Sequence, residues 1–303
     1  MTMYVIGHKN PDTDSVCAAI ALADLKTKLG YEATPAIQGD ITPETSFVLE
    51  KFGVPVPEKL TDAKDKEIFL VDHSDVSQSL ENLSMGTIKG IVDHHKLGDV
   101  TTKEPLEMWV WPVGCTCTII KAMYDFMNVP LDDKMSGIML CAILSDTVIF
   151  KSATCTDLDR IAAETLAQLS GVSDTKDLGL EMFKVKSAIE GSTPEELINR
   201  DYKDFDMSGN MVGIGQIEVV DISLLDSVKD ALYEKLKEMK SDRHSILLIL
   251  TDIMKEGSEL LYVSDDETII RKAFDVEPKE GKVWLDGVMS RKKQVVPKLE
   301  NAF

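Results

Sequence analysis

The stretch IKGIVDHHKLGDV, Ile88–Val100, decides how the chain is interpreted. Its apolar run ends at Val92 and predicts a short buried strand. Three groups that can bind a metal follow at once: Asp93, His94 and His95. The chain has five histidines, and two of them are adjacent here. In open parallel sheets, ligands bind at the carboxyl ends of strands, so this stretch predicts a functional site at a strand end.

The first half of the chain alternates short apolar strands with helices. Three segments are typical of buried strands: MYVIG, EIFLVD and IKGIVD. Three others are typical of helices: SVCAAIALADLKTKLG, KMSGIMLCAILSD and TDLDRIAAETLAQLSG. The last helix is predicted to begin with a capping box of Thr156 and Asp159 and to end at Gly171. This alternation predicts an α/β domain whose mainly parallel sheet is flanked by helices.

The pattern changes near KSAIEGSTPEE, where Gly191 and Ser192 interrupt the chain and Thr193-Pro194 predicts a new helix start. Further strands are expected at MVGIGQIEVV, SILLILTDI and ELLYVS, and helices at SLLDSVKDALYEKLKEMK and DETIIRKAF. We therefore expect a domain at residues 1–186, a hinge linker at 187–192 and a smaller mixed α/β domain at 193–303.

Composition limits the partners and the compartment of the chain. The longest apolar runs are too short to cross a bilayer, and the N-terminus does not resemble a signal peptide. Five cysteines suggest thiols in a reducing cytoplasm. A net charge of -19 disfavours nucleic acid and anionic membranes as partners. The segment SRKKQVVPK is a local exception, because it carries four cations and no acid.

Acids and histidines follow three predicted strands, and one more acid follows an apolar helix. Taken singly, each could be a helix cap, a turn residue or an ordinary buried histidine. Together they would crowd carboxylates at one edge of the sheet, and divalent cations would offset that repulsion. Carboxylates with some imidazole suit manganese, cobalt or magnesium, and their number indicates two metals. The residues concerned are His8, Asp12, Asp14, Asp72, His73, Asp93, His94, His95 and Asp146.

Four of these segments resemble known motifs. GHKNPDTDS, VDHSD, VDHH and LSDT are similar to the four N-terminal motifs of the DHH phosphoesterase superfamily. SRKKQVVP resembles the C-terminal signature of one branch, the manganese-dependent family II inorganic pyrophosphatases. The resemblance runs from about Met3 to about Pro297 in the same order. It implies a metal-binding catalytic DHH domain, a C-terminal phosphate-binding domain and an active site in the cleft between them.

The resemblance also implies a role for individual residues. One metal would be bound by His8 and Asp12, the other by Asp14, His94 and Asp146, with Asp72 as the ligand that bridges both. Asp93 would orient a neighbouring ligand or cap the turn. Catalytic roles would fall to Asp72, His95, Lys203, Arg291 and Lys292. The substrate would be bound by the last four of these together with Gln78.

The implied reaction is hydrolysis of pyrophosphate to two phosphates. A water or hydroxide that bridges the two metals would attack phosphorus in line. The side chains of Lys203, Arg291 and Lys292 would neutralise the charge of the phosphoryl oxygens. His95 would stabilise or protonate the departing phosphate. The resemblance implies Mn²⁺ or Co²⁺ as the two resident metals, Mg²⁺ with the substrate, and a homodimer formed through the N-terminal sheet.

Two alternatives stay open at this point. The chain could be another DHH phosphoesterase that cleaves polyphosphate, cyclic dinucleotides or oligonucleotides, although the glycine-rich, histidine-containing C-terminal motif of the oligonucleotide branch is not found. It could also be a metal-dependent regulatory protein without turnover. The complete set of ligands and cations disfavours the second alternative.

Overall fold

The computed structural model describes residues 2–187 and 191–303. The chain divides into two compact units, Met1–Met182 and Phe183–Phe303. The division falls within a helix, Thr175–Lys186, slightly before the expected hinge linker at 187–192. Residues 188–190 of that linker lie outside the described residues. Each unit contains its own sheet.

The N-terminal unit is built on a six-stranded parallel sheet in the order β3-β2-β1-β4-β5-β6, which confirms the predicted α/β class. Its order reverses at β1, as in doubly wound folds, where ligands bind beside the reversal point. The strands are β1 (Met3–Ile6), β2 (Ala33–Ile37), β3 (Glu58–Lys59), β4 (Glu67–Val71), β5 (Thr87–Asp93) and β6 (Glu107–Val110).

The helices of this unit are α1 (Thr13–Lys28), α2 (Pro43–Phe52), α3 (Thr116–Phe126), α4 (Asp133–Asp146), α5 (Asp157–Ser170) and α6 (Thr175–Lys186). Helices α1 and α4 are buried along most of their length, because each packs against several neighbours in the core. The predicted capping box of Thr156 and Asp159 begins α5, and Gly171 ends it in the left-handed conformation.

The ends of three central strands are level with one another. Ile6 of β1 pairs with Leu70 of β4, and Val71 pairs with Val92 of β5. The residues that follow these strands therefore emerge at one edge of the sheet. This register is what brings the segments after Ile6, Val71 and Val92 together.

The C-terminal unit contains a mixed five-stranded sheet in the order β11-β10-β9-β8-β7, with β8 parallel to β9 and the other pairs antiparallel. Central strand β9 is buried throughout, since apolar clusters cover both faces of the sheet. The strands are β7 (Tyr202–Met207), β8 (Asn210–Val219), β9 (Ser245–Asp252), β10 (Gly257–Ser264) and β11 (Lys282–Asp286). The helices are α7 (Pro194–Asn199), α8 (Lys229–Lys240), α9 (Thr268–Phe274) and α10 (Val296–Glu300).

One helix of this unit is shorter than expected. The segment SLLDSVKDALYEKLKEMK was predicted to be helical throughout, but Ile222–Leu225 forms a short 3-10 turn and α8 begins only at Lys229. The turn is fixed by two carboxylates that accept backbone hydrogen bonds: Asp221 from Ser223, and Asp252 from Ile222. Within residues 2–187 and 191–303, no helix combines the length and apolarity needed to span a bilayer.

Candidate functional site

The structure gathers the predicted metal ligands at the carboxyl edge of the N-terminal sheet. Two of the groups that they form share no residue, and inside each group the ligand atoms lie within 4.8 Å of one another. One consists of His8, Asp12 and Asp72; the second consists of Asp14, His94 and Asp146. Asp72 also groups with His94 and His95, so its carboxylate is common to both sides of the cluster.

Asp72 occupies the centre of the cluster. Its Oδ2 lies 3.3 Å from His8 Nε2, whereas its Oδ1 lies 3.4 Å from His94 Nε2 and accepts a hydrogen bond of 2.9 Å from the Thr116 hydroxyl. Burial alone would raise the pKa of Asp72, but the contacts with the two histidines outweigh it and lower the pKa well below its usual range. Two oxygens that face different ligand groups are the arrangement a bridging carboxylate requires.

Asp72 is also held in an uncommon backbone conformation. Its φ of 62° lies in the left-handed region, which residues other than glycine adopt at a cost of roughly 1–3 kcal/mol. The turn is fixed by a backbone hydrogen bond from Asp72 N to Val92 O on the neighbouring strand. Because of this turn the Asp72 carboxylate points into the cluster as soon as β4 ends.

In the first ligand group, His8 comes from the segment after β1 and Asp12 from the N-terminus of α1. Asp12 caps α1 by accepting a hydrogen bond from Ser15 N on Oδ1, and its Oδ2 lies 3.5 Å from His8 Nε2. Burial would lower the pKa of His8, but the charges of Asp12 and Asp72 outweigh it and raise the pKa to about 10. The carboxylates thus create a negative potential that holds a proton on a mostly buried imidazole. A divalent cation fits the same potential and would replace that proton.

The second ligand group combines residues from three elements. His94 donates from Nδ1 to Val113 O at 3.0 Å, which directs Nε2 toward Asp146 Oδ2 at 3.7 Å. A hydrogen bond from one ring nitrogen to a backbone carbonyl is the usual support for a histidine that binds metal through the other. Asp146 is the last residue of α4. These contacts place His94 and Asp146 as a pair that could hold a cation.

Asp14, in the first turn of α1, completes this group, and its carboxylate lies at the beginning of α3. Its carboxylate accepts hydrogen bonds from Thr116 N at 2.6 Å and Cys117 N at 3.1 Å, and the Cys115 thiol donates to it at 3.0 Å. The positive end of the helix dipole favours a carboxylate there. Burial and the charge of Asp72 nevertheless raise the pKa of Asp14 to about 6. Such crowding of negative charge is relieved by cations, so the donor set fits two divalent metals.

The two adjacent histidines have different partners. His95 donates from its backbone N and from Nδ1 to Asp93 Oδ1, each at 2.9 Å. Asp93 is buried, and its Oδ2 accepts a hydrogen bond from Ser74. Asp93 therefore orients His95 rather than His94, and the two imidazole rings are inclined at 75° to each other.

Two further residues near this edge have structural contacts. His73 is buried and donates from Nδ1 to Val71 O, while its Nε2 contacts the Ser79 hydroxyl at 2.8 Å. Burial lowers the pKa of His73 to about 4, which keeps it neutral. Gln78 accepts the backbone hydrogen bond of Lys9 on its carbonyl, and its side chain donates to Asp75 at 3.1 Å. Gln78 thus supports the segment that carries His8.

The predicted cations lie in the C-terminal unit. Arg291 begins a π-helical turn, Arg291–Val295, and its side chain is mostly buried. Its Nη1 donates to Asp201 O at 2.7 Å and to Ile214 O at 3.2 Å, and its Nη2 donates to Asp201 Oδ1 at 2.6 Å. Asp201 precedes β7, whose second residue is Lys203. The exposed side chain of Lys292 follows Arg291 directly.

Several contacts in the cluster were not expected from the sequence. The Thr116 hydroxyl donates to Asp72, and the Cys115 thiol donates to Asp14. Gln38 donates to Gly7 O and Gln78 O and so braces the turn before His8. The segment PVGCTCT, a loop that leads into an apolar helix, was the one sequence signal for the first two contacts.

The chain is similar to known proteins over nearly its whole length. Residues 2–143 match the model of the DHH family, N-terminal domain, and residues 180–302 match that of the DHHA2 domain. A probable manganese-dependent inorganic pyrophosphatase of Archaeoglobus fulgidus is 51% identical over 99% of this chain and 98% of its own length. A manganese-dependent inorganic pyrophosphatase of Methanocaldococcus jannaschii is 48% identical over 99% of both chains.

Solved structures give the same relationship. The crystal structure of a putative family II inorganic pyrophosphatase from Methanococcus jannaschii has a TM-score of 0.87 at 47% identity, with 99% of each chain covered. An exopolyphosphatase-related protein from Bacteroides fragilis has a TM-score of 0.52 at 12% identity, over 99% of this chain and 91% of its own, which shows a shared fold alone. The chain therefore belongs to the manganese-dependent, family II inorganic pyrophosphatases.

Proposed function

We propose that this protein hydrolyses inorganic pyrophosphate to two phosphates and that it binds two divalent metals, manganese above all. The observation that carries the proposal is the position of Asp72, whose two oxygens face His8 and His94 in two different ligand groups. Family membership supports the same reaction, because relatives that match the chain over its full length are named manganese-dependent inorganic pyrophosphatases.

The residues that would hold the metals follow from the two groups. His8 and Asp12 would bind one cation, and Asp72 would be shared between both; the other cation would be bound by Asp14, His94 and Asp146. Divalent metals held there would neutralise phosphoryl charge and lower the pKa of a water molecule. Imidazole donors favour transition metals over Mg²⁺, so Mn²⁺ or Co²⁺ fits the resident sites and Mg²⁺ fits the substrate.

Side chains of the protein would assist the departing phosphate and orient the metal ligands. Asp93 fixes the orientation of His95, which we assign to the departing phosphate, where it would stabilise charge or deliver a proton. The Thr116 hydroxyl donates to Asp72 Oδ1, which would help to fix the orientation of the shared carboxylate.

The cations of the C-terminal unit would bind phosphoryl oxygens. Arg291 enters this role with its guanidinium already fixed by Asp201 and Ile214, so little side-chain entropy is lost on binding. Lys203 and Lys292 are exposed and would supply further positive charge. Positioned charge stabilises most where negative charge develops during the reaction. Gln78 is assigned to the substrate on the resemblance of its segment alone.

A phosphate-release assay tests this function. Pyrophosphate, ATP, tripolyphosphate and a short oligonucleotide should be compared, each with Mn²⁺ and with Mg²⁺. We expect pyrophosphate to be hydrolysed far faster than the other three. Equal or better turnover of the oligonucleotide would assign the chain to another phosphoesterase branch, and metal binding without turnover of any substrate would indicate a regulatory protein.

We also propose a homodimer formed through β6, one of the two edge strands of the N-terminal sheet. Met108 and Val110 of β6 are 45% and 37% exposed. Beside them Phe126, which is 74% exposed, packs edge-on against Trp109 with ring centroids 5.6 Å apart. An edge strand next to an apolar patch suits pairing with a second copy of the chain. Light scattering should give twice the mass of one chain, and Phe126→Glu should reduce it to one.

A cytoplasmic location and small-molecule partners complete the proposal. Cys17, Cys115, Cys117 and Cys141 are buried thiols, which suits a reducing compartment. The net charge of -19 disfavours nucleic acid as a partner.

A further inference from the structure

We propose that Glu44 is a positioning residue that joins the two chain segments on which three of the acidic metal ligands lie. The inference rests on the proposed function, since it assigns Glu44 a role in holding the ligand cluster of that function. Glu44 belongs to α2, an element that contributes no residue to the ligand groups found among the described residues.

Glu44 accepts two hydrogen bonds on one oxygen. Its Oε2 lies 2.8 Å from the Thr13 hydroxyl and 2.9 Å from the Ser145 hydroxyl. Thr13 stands between Asp12 and Asp14, and Ser145 directly precedes Asp146. A single carboxylate oxygen is therefore bonded to the neighbours of three predicted ligands.

The carboxylate is built into the core. Glu44 is 3% exposed, and burial of a carboxylate is costly unless hydrogen bonds compensate for it. Its place in the first turn of α2, directly after Pro43, also puts it at the positive end of the helix dipole. Thr45 on the same turn contacts the Thr13 hydroxyl at 3.1 Å, which adds a second tie from α2 to that segment.

These hydrogen bonds matter because the ligands come from helices α1 and α4, which are far apart in the sequence. Asp12 and Asp14 belong to the beginning of α1, while Asp146 ends α4. Their negative charges would drive these elements apart whenever metal is absent. Hydrogen bonds from both segments to one oxygen of Glu44 fix their separation, so the cluster would be preorganised before a cation arrives.

Removal of Glu44 should weaken metal binding. Residues that support metal ligands typically contribute about 10- to 100-fold in metal affinity. We expect Glu44→Ala to weaken Mn²⁺ affinity by that factor, measured by calorimetry on the full chain. Glu44→Gln keeps an oxygen that can accept both hydroxyls and should recover most of the loss. Glu50→Ala, an exposed change on the same helix, should leave the affinity unchanged.

A double-mutant cycle separates the positioning role from general destabilisation. Ser145→Ala should weaken Mn²⁺ affinity in the unmodified chain but have no further effect in the Glu44→Ala chain, because its partner is already gone. The Mn²⁺ concentration for half-maximal activity should shift with the affinity, while KM for pyrophosphate at saturating Mn²⁺ stays constant. A purely structural role would instead lower activity at every Mn²⁺ concentration.

The outcomes distinguish this inference from the proposed function. Unchanged Mn²⁺ affinity of a folded Glu44→Ala chain, or additive effects of the two substitutions, would overturn the role of Glu44 alone. If Glu44→Ala does not fold, the Mn²⁺ affinities of Glu44→Gln and Ser145→Ala are compared with that of the unmodified chain. Weaker affinity in Ser145→Ala, with most of the affinity kept in Glu44→Gln, supports the role of Glu44. Unchanged affinity in Ser145→Ala overturns it. Failure of the unmodified chain to bind Mn²⁺ would overturn both the inference and the proposed function.

Discussion

Replacement of Asp72 by asparagine is the sharpest test of the metal cluster. Asparagine has the same shape as aspartate and tolerates the left-handed φ of 62° found at this position. It removes the negative charge that faces His8 and His94, while it keeps an oxygen that can accept the Thr116 hydroxyl. Any effect therefore reports on the charge of the carboxylate rather than on backbone strain.

The size of the effect follows from the position of Asp72 between both ligand groups. A residue that only orients a ligand typically contributes about 10- to 100-fold in affinity or activity. A ligand shared by two cations should contribute more, so we expect Asp72→Asn to lower kcat/KM by more than about 100-fold. The affinity for Mn²⁺ should fall by at least ~100-fold as well.

Thermal unfolding gives an independent measure of the metal affinity. At a free Mn²⁺ concentration about 100 times Kd, one bound metal stabilises the folded state by ~2.7 kcal/mol, and a 100-fold loss of affinity leaves ~0.4 kcal/mol. For a unit of this size, 1 kcal/mol corresponds to about 2–4 °C in Tm. We expect Mn²⁺ to raise Tm by roughly 5–11 °C in the unmodified chain and by roughly 1–2 °C in Asp72→Asn.

Asp65→Asn is the matched control, because Asp65 is exposed and has the same left-handed backbone with φ of 58° but lies outside the ligand groups. Activity and the Mn²⁺-dependent rise in Tm should match those of the unmodified chain. If Asp72→Asn kept the full Mn²⁺-dependent rise in Tm, or if both variants lost activity equally, the bridging role of Asp72 would be wrong.

Three further predictions concern the partners of the site. Asp93→Asn should lower kcat by about 10- to 100-fold and leave the Mn²⁺ affinity unchanged, since Asp93 orients His95 and is not in the ligand groups. A loss of Mn²⁺ affinity together with kcat, measured by calorimetry, would contradict this. Arg291→Lys should lower kcat/KM by roughly 10- to 100-fold, because lysine cannot donate hydrogen bonds to Asp201 and to a phosphate at the same time. Each hydrogen bond to a charged group contributes about 1.5–3 kcal/mol. Steady-state kinetics that match the unmodified chain would refute it. Chelation should abolish activity, and Mn²⁺ or Co²⁺ should restore more of it than Mg²⁺ in a phosphate-release assay; full activity after exhaustive chelation would exclude the proposed mechanism.

Local sequence signals predicted much of the fold. The capping box at Thr156 and the helix start at Thr193-Pro194 begin α5 and α7 as expected, and the apolar runs before His8 and Asp72 form parallel strands. Such signals succeed because capping and burial act within a few residues. Strands β2, β6 and β7 were not predicted, since ATPAI, EMWV and YKDFDM have few buried side chains. They form strands because a neighbouring strand supplies their hydrogen bonds.

The sequence by itself determined the chemistry of the site, and the tertiary structure decided which residue does what. The segments VDHSD and VDHH both place Asp-His after a buried strand, yet their roles are opposite. Asp72 enters the cluster because its backbone turns left-handed, and His73 is buried between Val71 O and Ser79. Asp93 stays in β5, paired with Val110, so His94 faces the cluster instead.

The resemblance had implied this division of roles, but spacing alone could not, because both segments begin with the same three residues, Val-Asp-His. The contacts of Glu44 with Thr13 and Ser145 were equally invisible in the sequence. Residue types and strand ends are local properties, whereas the side on which a carboxylate emerges depends on strand pairing, backbone handedness and the packing of α2 and α4 around the cluster.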